Sequence, residues 1–264
     1  TYTVGVVYQP EFLPNFSISV DYFNIKVTDA ITTPAVGDVI GGCFTGLSAS
    51  SASNPACTSI RRNPLTGGLD GDTTTTFGLP FARSNLGRIK TDGIDLAIRY
   101  KRELGFADLN LSFDGTFNNS NKFRATPTSL NRECVGFYSP NCNIQPEFSF
   151  NQRTSLTFDD SITVSLLWRY LSGSEQEPDD ILNGNGPVLP QFATIPDEHY
   201  FDLSGRFEIT DNVTMTMTVM NLLNNKPKVV GSDVGTTEFN SGNVYPSSYD
   251  PLGRRFAVSA KLKF

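Results

Sequence analysis

Hydrophobic and polar residues alternate one by one along most of this chain, and this period of two is the feature that most restricts its fold. In the clearest stretch, from 108 to 117, Leu109, Leu111 and Phe113 alternate with small polar residues. Successive side chains of a β-strand point to opposite faces, so the pattern predicts strands rather than helices. The predicted strands lie at about 1–9, 15–28, 89–101, 108–117, 147–158, 161–170, 198–209, 212–220 and 255–264.

The links between these nine strands alternate strictly between short and long. The short links are 10–14, 102–107, 159–160 and 210–211, and the long links are 30–88, 119–146, 172–197 and 222–251. In an antiparallel sheet, this order collects every tight turn at one end and every long loop at the other. A compact soluble domain seldom carries several irregular loops above ~12–15 residues. A transmembrane barrel combines short periplasmic turns with long extracellular loops.

We therefore predict an all-β fold, specifically a transmembrane antiparallel β-barrel. The alternative is an ordinary soluble antiparallel sandwich, which has the same local alternation of apolar and polar residues. The apolar face of the predicted strands carries aromatic residues near the strand ends, as the girdles of membrane barrels do. These aromatic residues are Tyr2, Tyr8, Tyr100, Trp168 and Tyr170.

The polar face of the predicted strands carries Ser, Thr, Asn and charged residues, and we expect it to face a wet or plugged lumen. Charged groups there are candidates for holding a plug or lining a permeation path through charge-assisted hydrogen bonds. These candidates are Arg99, Asp114, Arg153, Arg169, Asp202, Arg206 and Arg255. The alternative is that the same groups are simply solvated or paired with one another within the wall.

Composition excludes several other classes of protein. The 27 acidic residues outnumber the 21 basic ones, and the resulting net charge of −6 argues against binding to nucleic acid. The 20 Phe and 9 Tyr residues are too many for a disordered chain. No run reaches the ~18 consecutive apolar residues of a membrane-spanning helix, which excludes helical membrane proteins but not barrels.

The odd number of predicted strands bears on domain organisation. Single-chain bacterial barrels have even strand numbers, and an open sheet edge in lipid leaves backbone groups unsatisfied. The first eight residues already look like a strand, and no export signal precedes them. We therefore expect residues 1–264 to be the C-terminal part of a longer barrel, either mature or a fragment.

The four cysteines fall in two close pairs, Cys43 with Cys57 and Cys134 with Cys142, inside predicted loops. Close, even-numbered pairing in polar loops indicates disulfides and an oxidising compartment. Zinc and free thiols are the alternatives. Zinc would need ligand spacings that these gaps of 14 and 8 residues do not provide, and the only histidine is His199. We predict two disulfides.

The last third of the chain resembles TonB-dependent outer-membrane receptors. The matching segments are Tyr200–Ser204, Val219–Pro227, Tyr245, Tyr249–Phe256 and the aromatic last residue, Phe264. Upstream, Thr91–Asp95 is similar to a recurring strand start of the family, and Trp168–Tyr170 fits the following hairpin. The resemblance covers most of 85–264, and 1–84 is compatible with it.

The resemblance implies a barrel of about 22 strands, closed by an N-terminal plug, in the outer membrane of a Gram-negative bacterium. It further implies uptake of a siderophore, cobalamin or carbohydrate-type ligand, driven through a TonB-type energy-coupling protein. Phe264 would then be the signal read by the barrel-assembly machinery. The plug, the coupling motif and the first half of the barrel have no counterpart in these residues.

Aromatic residues in or near the long loops are candidates for stacking on a small-molecule or oligosaccharide ligand. They are Phe77, Phe81, Phe137, Tyr138, Phe192 and Tyr245. The alternative is that they pack the loops against one another. An acidic loop, which supplies Glu175, Glu177, Asp179 and Asp180, is a weak candidate for calcium and otherwise a solvated loop.

Catalysis has little support in the sequence. His199 with Asp197 is the only candidate dyad, and a lone histidine is more often an ordinary loop residue. We expect an active transporter with no enzymatic activity and no cofactor. A passive porin or structural barrel is the first alternative, and an outer-membrane enzyme built around His199 is the second.

Overall fold

The fold is an antiparallel β-wall in a computed structural model that describes residues 1–70, 72, 74, 76, 78–139, 142–178, 189–231 and 244–264. Four of its strands are only two or three residues long. The strands are β1 (Tyr2–Tyr8), β2 (Phe16–Thr32), β3 (Ser84–Glu103), β4 (Asp108–Arg124), β5 (Arg132–Glu133), β6 (Phe137–Tyr138), β7 (Phe148–Phe158), β8 (Ile162–Leu171), β9 (Ser174–Gln176), β10 (Thr194–Ile195), β11 (Glu198–Thr210), β12 (Val213–Met220) and β13 (Arg255–Leu262).

The nine long strands form one sheet in the order β1-β2-β3-β4-β7-β8-β11-β12-β13, with each strand antiparallel to its neighbours. Each overlaps one of the nine strands that the alternation predicts. Within the described residues, the outer edges of β1 and β13 pair with no other strand. The wall is therefore a partial barrel with two open edges.

Three strands are longer than the sequence predicts: β2 and β4 have 17 residues each and β3 has 20. At ~3.3 Å per residue, such strands extend well beyond a bilayer core of ~30 Å. Where a strand extends beyond an apolar environment, both of its faces can meet water, so the alternation fades although the strand continues. This explains why the pattern predicts β3 from 89 rather than from Ser84.

The register gives the wall two chemically different faces. Leu203 on β11 lies opposite Leu166 on β8 and Val219 on β12. Its neighbour Ser204 lies opposite Ser165 and Thr218 on the other side of the sheet. The apolar face is exposed, with about two thirds of Val258 accessible. The wall thus has its apolar side chains on an outer surface and not in a core.

Tight turns join the strands at one end of the wall. Asp159 and Asp160 have φ angles of 47° and 57°, and Ser161 N donates to Phe158 O at 3.1 Å. Positive φ at both central residues is the mark of a type I′ turn, whose twist suits a hairpin. The predicted short links therefore all lie at this end, which we call the turn end.

The long links at the other end, the loop end, are folded. They contain helix α1 (Val36–Phe44), the short helix α2 (Pro55–Thr58), and a three-stranded sheet in the order β10-β9-β6. The hydrophobic core lies here rather than between the strands of the wall. It consists of Tyr138, Ile195, Val230, Tyr245 and Tyr249. In the described part of the chain, no helix is long and apolar enough to cross a membrane.

Candidate channel wall and ligand-capture loops

A cavity of about 510 Å³ opens on the polar face of the wall. It is lined by residues of β2, β3, β4, β7 and β8 and by Ser248 from the link between β12 and β13. The polar side chains that line it are Ser19, Asp21, Asp95, Asp114, Thr116, Ser149, Asn151, Arg169 and Ser248. The polar face is therefore concave, and a loop from the loop end folds inward onto it.

The register puts all seven charged candidates on this polar face. Arg99 pairs with Asp114 at 2.5 Å, and both side chains are about half exposed. Arg206 pairs with Glu208 at 2.6 Å in a similarly open setting. Exposed pairs of this kind contribute only ~0–1 kcal/mol to stability. Their role as contacts for a plug or a permeating ligand remains a prediction.

A denser polar network lies where the wall meets the loop end. Arg169 donates two hydrogen bonds to Asp202, at 3.1 and 3.3 Å, and its guanidinium lies 5.1 Å from the ring centre of Tyr200. Asp202 also accepts from Asn221 N at 2.8 Å. A planar guanidinium fits a carboxylate in this two-bond geometry, which a lysine cannot reproduce. The network fixes β8, β11 and the end of β12 to one another.

Asn221 is fully buried and holds the start of the link from β12 to β13. Its side chain donates to Asn225 O at 2.8 Å and accepts from Asn225 N at 2.9 Å. Its φ of 51° lies in the left-handed region, where asparagine is better tolerated than most residues. Further along, Asn224 Oδ1 accepts from Arg254 N at 3.0 Å, so the two ends of the link meet.

The far end of the same link is fastened to the wall through Asp250. Its carboxylate accepts from Arg255 Nη2 at 2.9 Å, and its backbone N donates to the buried Tyr200 Oη at 3.3 Å. The segments that resemble the receptor family, Tyr200–Ser204, Val219–Pro227 and Tyr249–Phe256, therefore meet in one polar cluster. Sequence reasoning recognised these segments but did not predict that they bind each other.

Comparison with known families decides which group of proteins this arrangement belongs to. Residues 1–222 match the family described as TonB dependent receptor-like, beta-barrel. This chain belongs to that family. TonB-dependent receptors are outer-membrane proteins of Gram-negative bacteria and are not enzymes. A comparison with curated proteins finds no match.

Solved structures show the same fold. The ferric enterobactin receptor of Pseudomonas aeruginosa, in complex with enterobactin, is 14% identical with a TM-score of 0.59, over 99% of this chain and 31% of that one. The FrpB iron transporter of Neisseria meningitidis is 14% identical with a TM-score of 0.57, and the match covers 99% of this chain and 30% of that one. The pyoverdine receptor FpvA of Pseudomonas aeruginosa, bound to pyoverdine, is 16% identical with a TM-score of 0.55. The match covers 100% of this chain and 29% of that one. This receptor chain thus spans about three tenths of their lengths.

Both predicted disulfides of the receptor chain are confirmed. Cys43 and Cys57 are bonded with their Cα atoms 4.6 Å apart, and Cys134 and Cys142 with theirs 5.3 Å apart. The first bond closes within the link between β2 and β3, and the second within the link between β4 and β7. Each disulfide therefore closes inside a single loop.

The aromatic residues predicted to contact a ligand occupy different environments. Tyr138 and Tyr245 are buried and pack edge-to-face at 5.9 Å, and Tyr138 Oη donates to Phe192 O. In this conformation, these two tyrosines pack the loops together and present no face to the outside. Phe81 is 42% exposed, while Phe137 and Phe192 are half-buried. Phe77 lies outside the described residues.

Only two of the four acidic-loop candidates for calcium, Glu175 and Glu177, lie within the described residues. Glu177 is buried and paired with Arg132, so its carboxylate already has a partner. Glu175 is exposed, and Asp179 and Asp180 lie outside the described residues. The described residues contain no group of three or more side chains placed to hold a metal ion.

His199 lies on the apolar face among aromatic rings and forms no dyad with Asp197. It accepts a hydrogen bond from Trp168 Nε1 at 3.2 Å, and its ring centre is 5.0 Å from that of Tyr170. Asp197 instead accepts from Tyr170 Oη at 3.1 Å and Gly173 N at 2.7 Å. The rings in contact form an aromatic belt at the loop end. Its members are Phe113, Phe148, Phe150, Trp168, Tyr170, His199 and Phe201.

The buried tyrosines make the loop core sensitive to alkali. Burial raises the pKa of Tyr138 to about 12 and also raises the pKa values of Tyr245 and Tyr249. Unfolded tyrosine titrates near pH ~10, so between pH ~10 and ~12 the unfolded loops bind fewer protons than the folded ones. The stabilisation is complete below pH ~10 and is lost as the pH rises toward 12.

We expect the loop core to unfold across this alkaline range while the wall stays folded. Tyrosinate absorbance and loop proteolysis, measured together on the purified receptor, check this expectation. Free tyrosine in the same buffer series serves as the reference for ordinary titration. Complete tyrosine ionisation near pH ~10 with the loops still protected would contradict the burial of these phenols.

Proposed function

We propose that this chain forms wall and loops of an outer-membrane receptor that takes up a small ligand in a TonB-dependent, energy-coupled step. The observation that carries the proposal is the two-faced wall: an exposed apolar face with aromatic residues near both ends, and a concave polar face with a cavity. Only a protein surrounded by lipid can keep such an apolar face on its outside.

The spacing of aromatic residues on β7 supports placement in a membrane. Phe148 belongs to the aromatic belt, while Phe158 at the turn end contacts Phe106. These are the first and last residues of the 11-residue strand β7, so they lie ~33 Å apart along it. At the strand tilt of ~35–45° found in membrane barrels, this corresponds to ~25 Å of height, which is the height of their apolar band. The loop end then faces the cell exterior.

The remaining strands and a plug would come from other parts of the same protein. The outer edges of β1 and β13 are open in the described residues, and lipid does not tolerate an open edge. The concave face, with Asp21 and Asp95 directly opposite each other, would then contact the plug and the permeating ligand. The wall arginines, among them Arg153, would act in the same contacts.

The ligand class is suggested by the solved structures that share the fold. Those named above are a ferric enterobactin receptor, an iron transporter and a pyoverdine receptor. We propose that the folded loops capture an iron–siderophore complex, with Phe81 and Phe137 among the accessible aromatic contacts. A TonB-type protein would drive its passage. Phe264, fully exposed at the end of the chain, would be recognised by the barrel-assembly machinery.

The proposal is tested by uptake of radio-iron complexes of enterobactin and pyoverdine into cells with and without the full-length receptor. We expect receptor-dependent uptake of one complex that stops when the proton gradient is collapsed. Uptake that continues after the collapse would indicate a passive porin instead. No receptor-dependent uptake of either complex would reject the proposed ligand class.

A further inference from the structure

Two rows of basic residues cross β2, β3 and β4 near the loop end of the wall. In the first row, Lys26 lies directly opposite Lys90, which in turn lies opposite Lys122. In the second row, Arg88 lies opposite Arg124. Four of the five side chains are exposed, and Arg124 is half-buried. We call these five residues, Lys26, Arg88, Lys90, Lys122 and Arg124, the basic patch.

The alternation along β3 places the basic patch on the outer face of the wall. Ile94 belongs to the apolar face and is 41% exposed. Alternate residues of a strand point to the same side, so Asp92, Lys90 and Arg88 follow Ile94 on the outside and not on the lumen side. Lys26 on β2 is the direct partner of Lys90 and therefore shares its face.

A β-bulge in β4 brings the basic residues of that strand to the same face. Phe117 pairs with Ile94, whereas Ser120 pairs with Asp92, so β4 has one more residue than β3 over this stretch. A bulge of this kind changes which side of the sheet the following residues face. Without it, the two basic residues of β4 would face the lumen.

The carboxylates of the chain compensate little of this charge. Like charges directly opposite each other on neighbouring strands destabilise a sheet. Among the described residues, Lys90 alone in the patch has a carboxylate within ion-pair distance, that of Asp92 at 3.8 Å. Asp92 is buried and also accepts two hydrogen bonds from side chains of β4. Glu133, which lies opposite Lys122, instead accepts from three backbone N–H groups.

The height of the basic patch suits the headgroup layer of a membrane. The lysine row lies two rows beyond Ile94, which is ~13 Å along the strands. At a strand tilt of ~35–45°, this corresponds to ~10 Å above the apolar band. Headgroups add ~5–8 Å to each side of a bilayer core. Long basic side chains can reach back to such a layer, because their stems lie along apolar surface while their charged ends stay in polar surroundings.

We propose that the basic patch binds the phosphate groups of lipopolysaccharide, the glycolipid of the outer leaflet of the outer membrane. Its lipid A part carries negatively charged phosphates above acyl chains, which matches a basic patch above an apolar face. Arg88 and Arg124 can each offer two parallel N–H groups to a phosphate, and the lysines act as point charges. The inference rests on the proposed placement of the loop end at the cell exterior but not on ligand uptake.

The test is binding of lipid A to the full-length receptor, purified in non-ionic detergent, freed of bound lipid and followed by native mass spectrometry. The variant that combines Lys26→Gln, Lys90→Gln and Lys122→Gln should bind lipid A roughly a hundredfold more weakly at low ionic strength. The reason is that each lysine near an anionic lipid surface contributes about fivefold to binding. Arginine at the same three positions keeps the charge and should preserve the affinity.

A matched control removes three lysines from the turn end, at the opposite side of the membrane. Lys101→Gln, Lys261→Gln and Lys263→Gln, combined, change the net charge equally at exposed positions and should leave the affinity for lipid A unchanged. Lipid A without its phosphates should bind the unmodified receptor and the glutamine variant of the patch equally weakly.

Thermal unfolding in detergent distinguishes lost binding from misfolding. Without lipid, the glutamine variant of the patch should be at least as stable as the unmodified receptor, because it lacks the repulsion between opposite lysines. Added lipid A should raise the melting temperature of the unmodified receptor and not that of the variant, since a ligand stabilises only the form that binds it.

The proposal is overturned if the glutamine variant of the patch binds lipid A as tightly as the unmodified receptor, or if removal of the phosphates does not weaken binding. It is also overturned if this variant loses affinity for ferric enterobactin and keeps its affinity for lipid A, because the patch would then contact the uptake ligand. Failure of iron uptake with lipid A binding intact would reject the proposed ligand and leave this inference standing.

Discussion

Met217→Arg is expected to prevent stable assembly of the receptor in the outer membrane. Met217 lies on the apolar face, 44% exposed, opposite Gly205 and Val258, and roughly midway between the aromatic residues of the two ends. An arginine on the lipid face near the midplane costs ~2–4 kcal/mol. Because total stability is commonly ~5–15 kcal/mol, this is a large fraction of it. Heat-modifiable gel migration of the full-length protein in outer-membrane fractions measures the outcome.

Thr216→Arg is the matched control, since it adds the same side chain one residue earlier on the same strand. Thr216 lies on the polar face, opposite Arg206 and Ser259. We expect this variant to assemble at close to the normal level, because its guanidinium reaches water. Equal assembly of both variants, or a larger loss for Thr216→Arg, would mean that the apolar face does not contact lipid.

Asn221→Ala is expected to release the β12–β13 link from the wall. The change removes the two side-chain hydrogen bonds to Asn225, worth about 1 kcal/mol each. It also puts alanine at a φ of 51°, where a Cβ costs a further ~1–2 kcal/mol. The combined loss is about 3–4 kcal/mol at a buried site. Urea unfolding of the purified receptor and protease cleavage within 244–252 measure it.

Asn221→Gly separates the two contributions, because glycine adopts the left-handed conformation without strain. We expect it to lose about 2 kcal/mol through the missing hydrogen bonds alone. Asn212→Ala, in the exposed turn between β11 and β12, should have little effect. If Asn221→Ala were as stable as Asn212→Ala, the described fastening of the link would be wrong.

The strands of the wall could be predicted from sequence because each has one face in an apolar environment and one in a polar environment. Lipid and lumen impose alternation on every residue between them, so Leu203 and Ser204 differ for a physical reason. The extensions of β2, β3 and β4 escape this constraint. There the backbone hydrogen bonds between strands continue, but both faces can be polar. The sequence therefore does not show that these strands continue.

The loops could be predicted much less well. The disulfides follow from cysteine spacing, whereas the partners of Arg132 lie 94 and 45 residues away in segments with no periodicity. Tyrosine in a long loop has the same appearance in sequence whether it binds a ligand or fills a core. Tyr138 and Tyr245 do the second, and only the folded arrangement reveals it.

The open edges of β1 and β13 have a practical consequence for anyone producing this segment alone. Each edge presents unsatisfied N–H and C=O groups beside exposed apolar side chains such as Val4 and Val258. Such edges add strands from neighbouring molecules. Recombinant residues 1–264 should therefore accumulate as fibrils or inclusion bodies, and a dispersed, folded state should return only when complementary strands are supplied together with detergent or lipid.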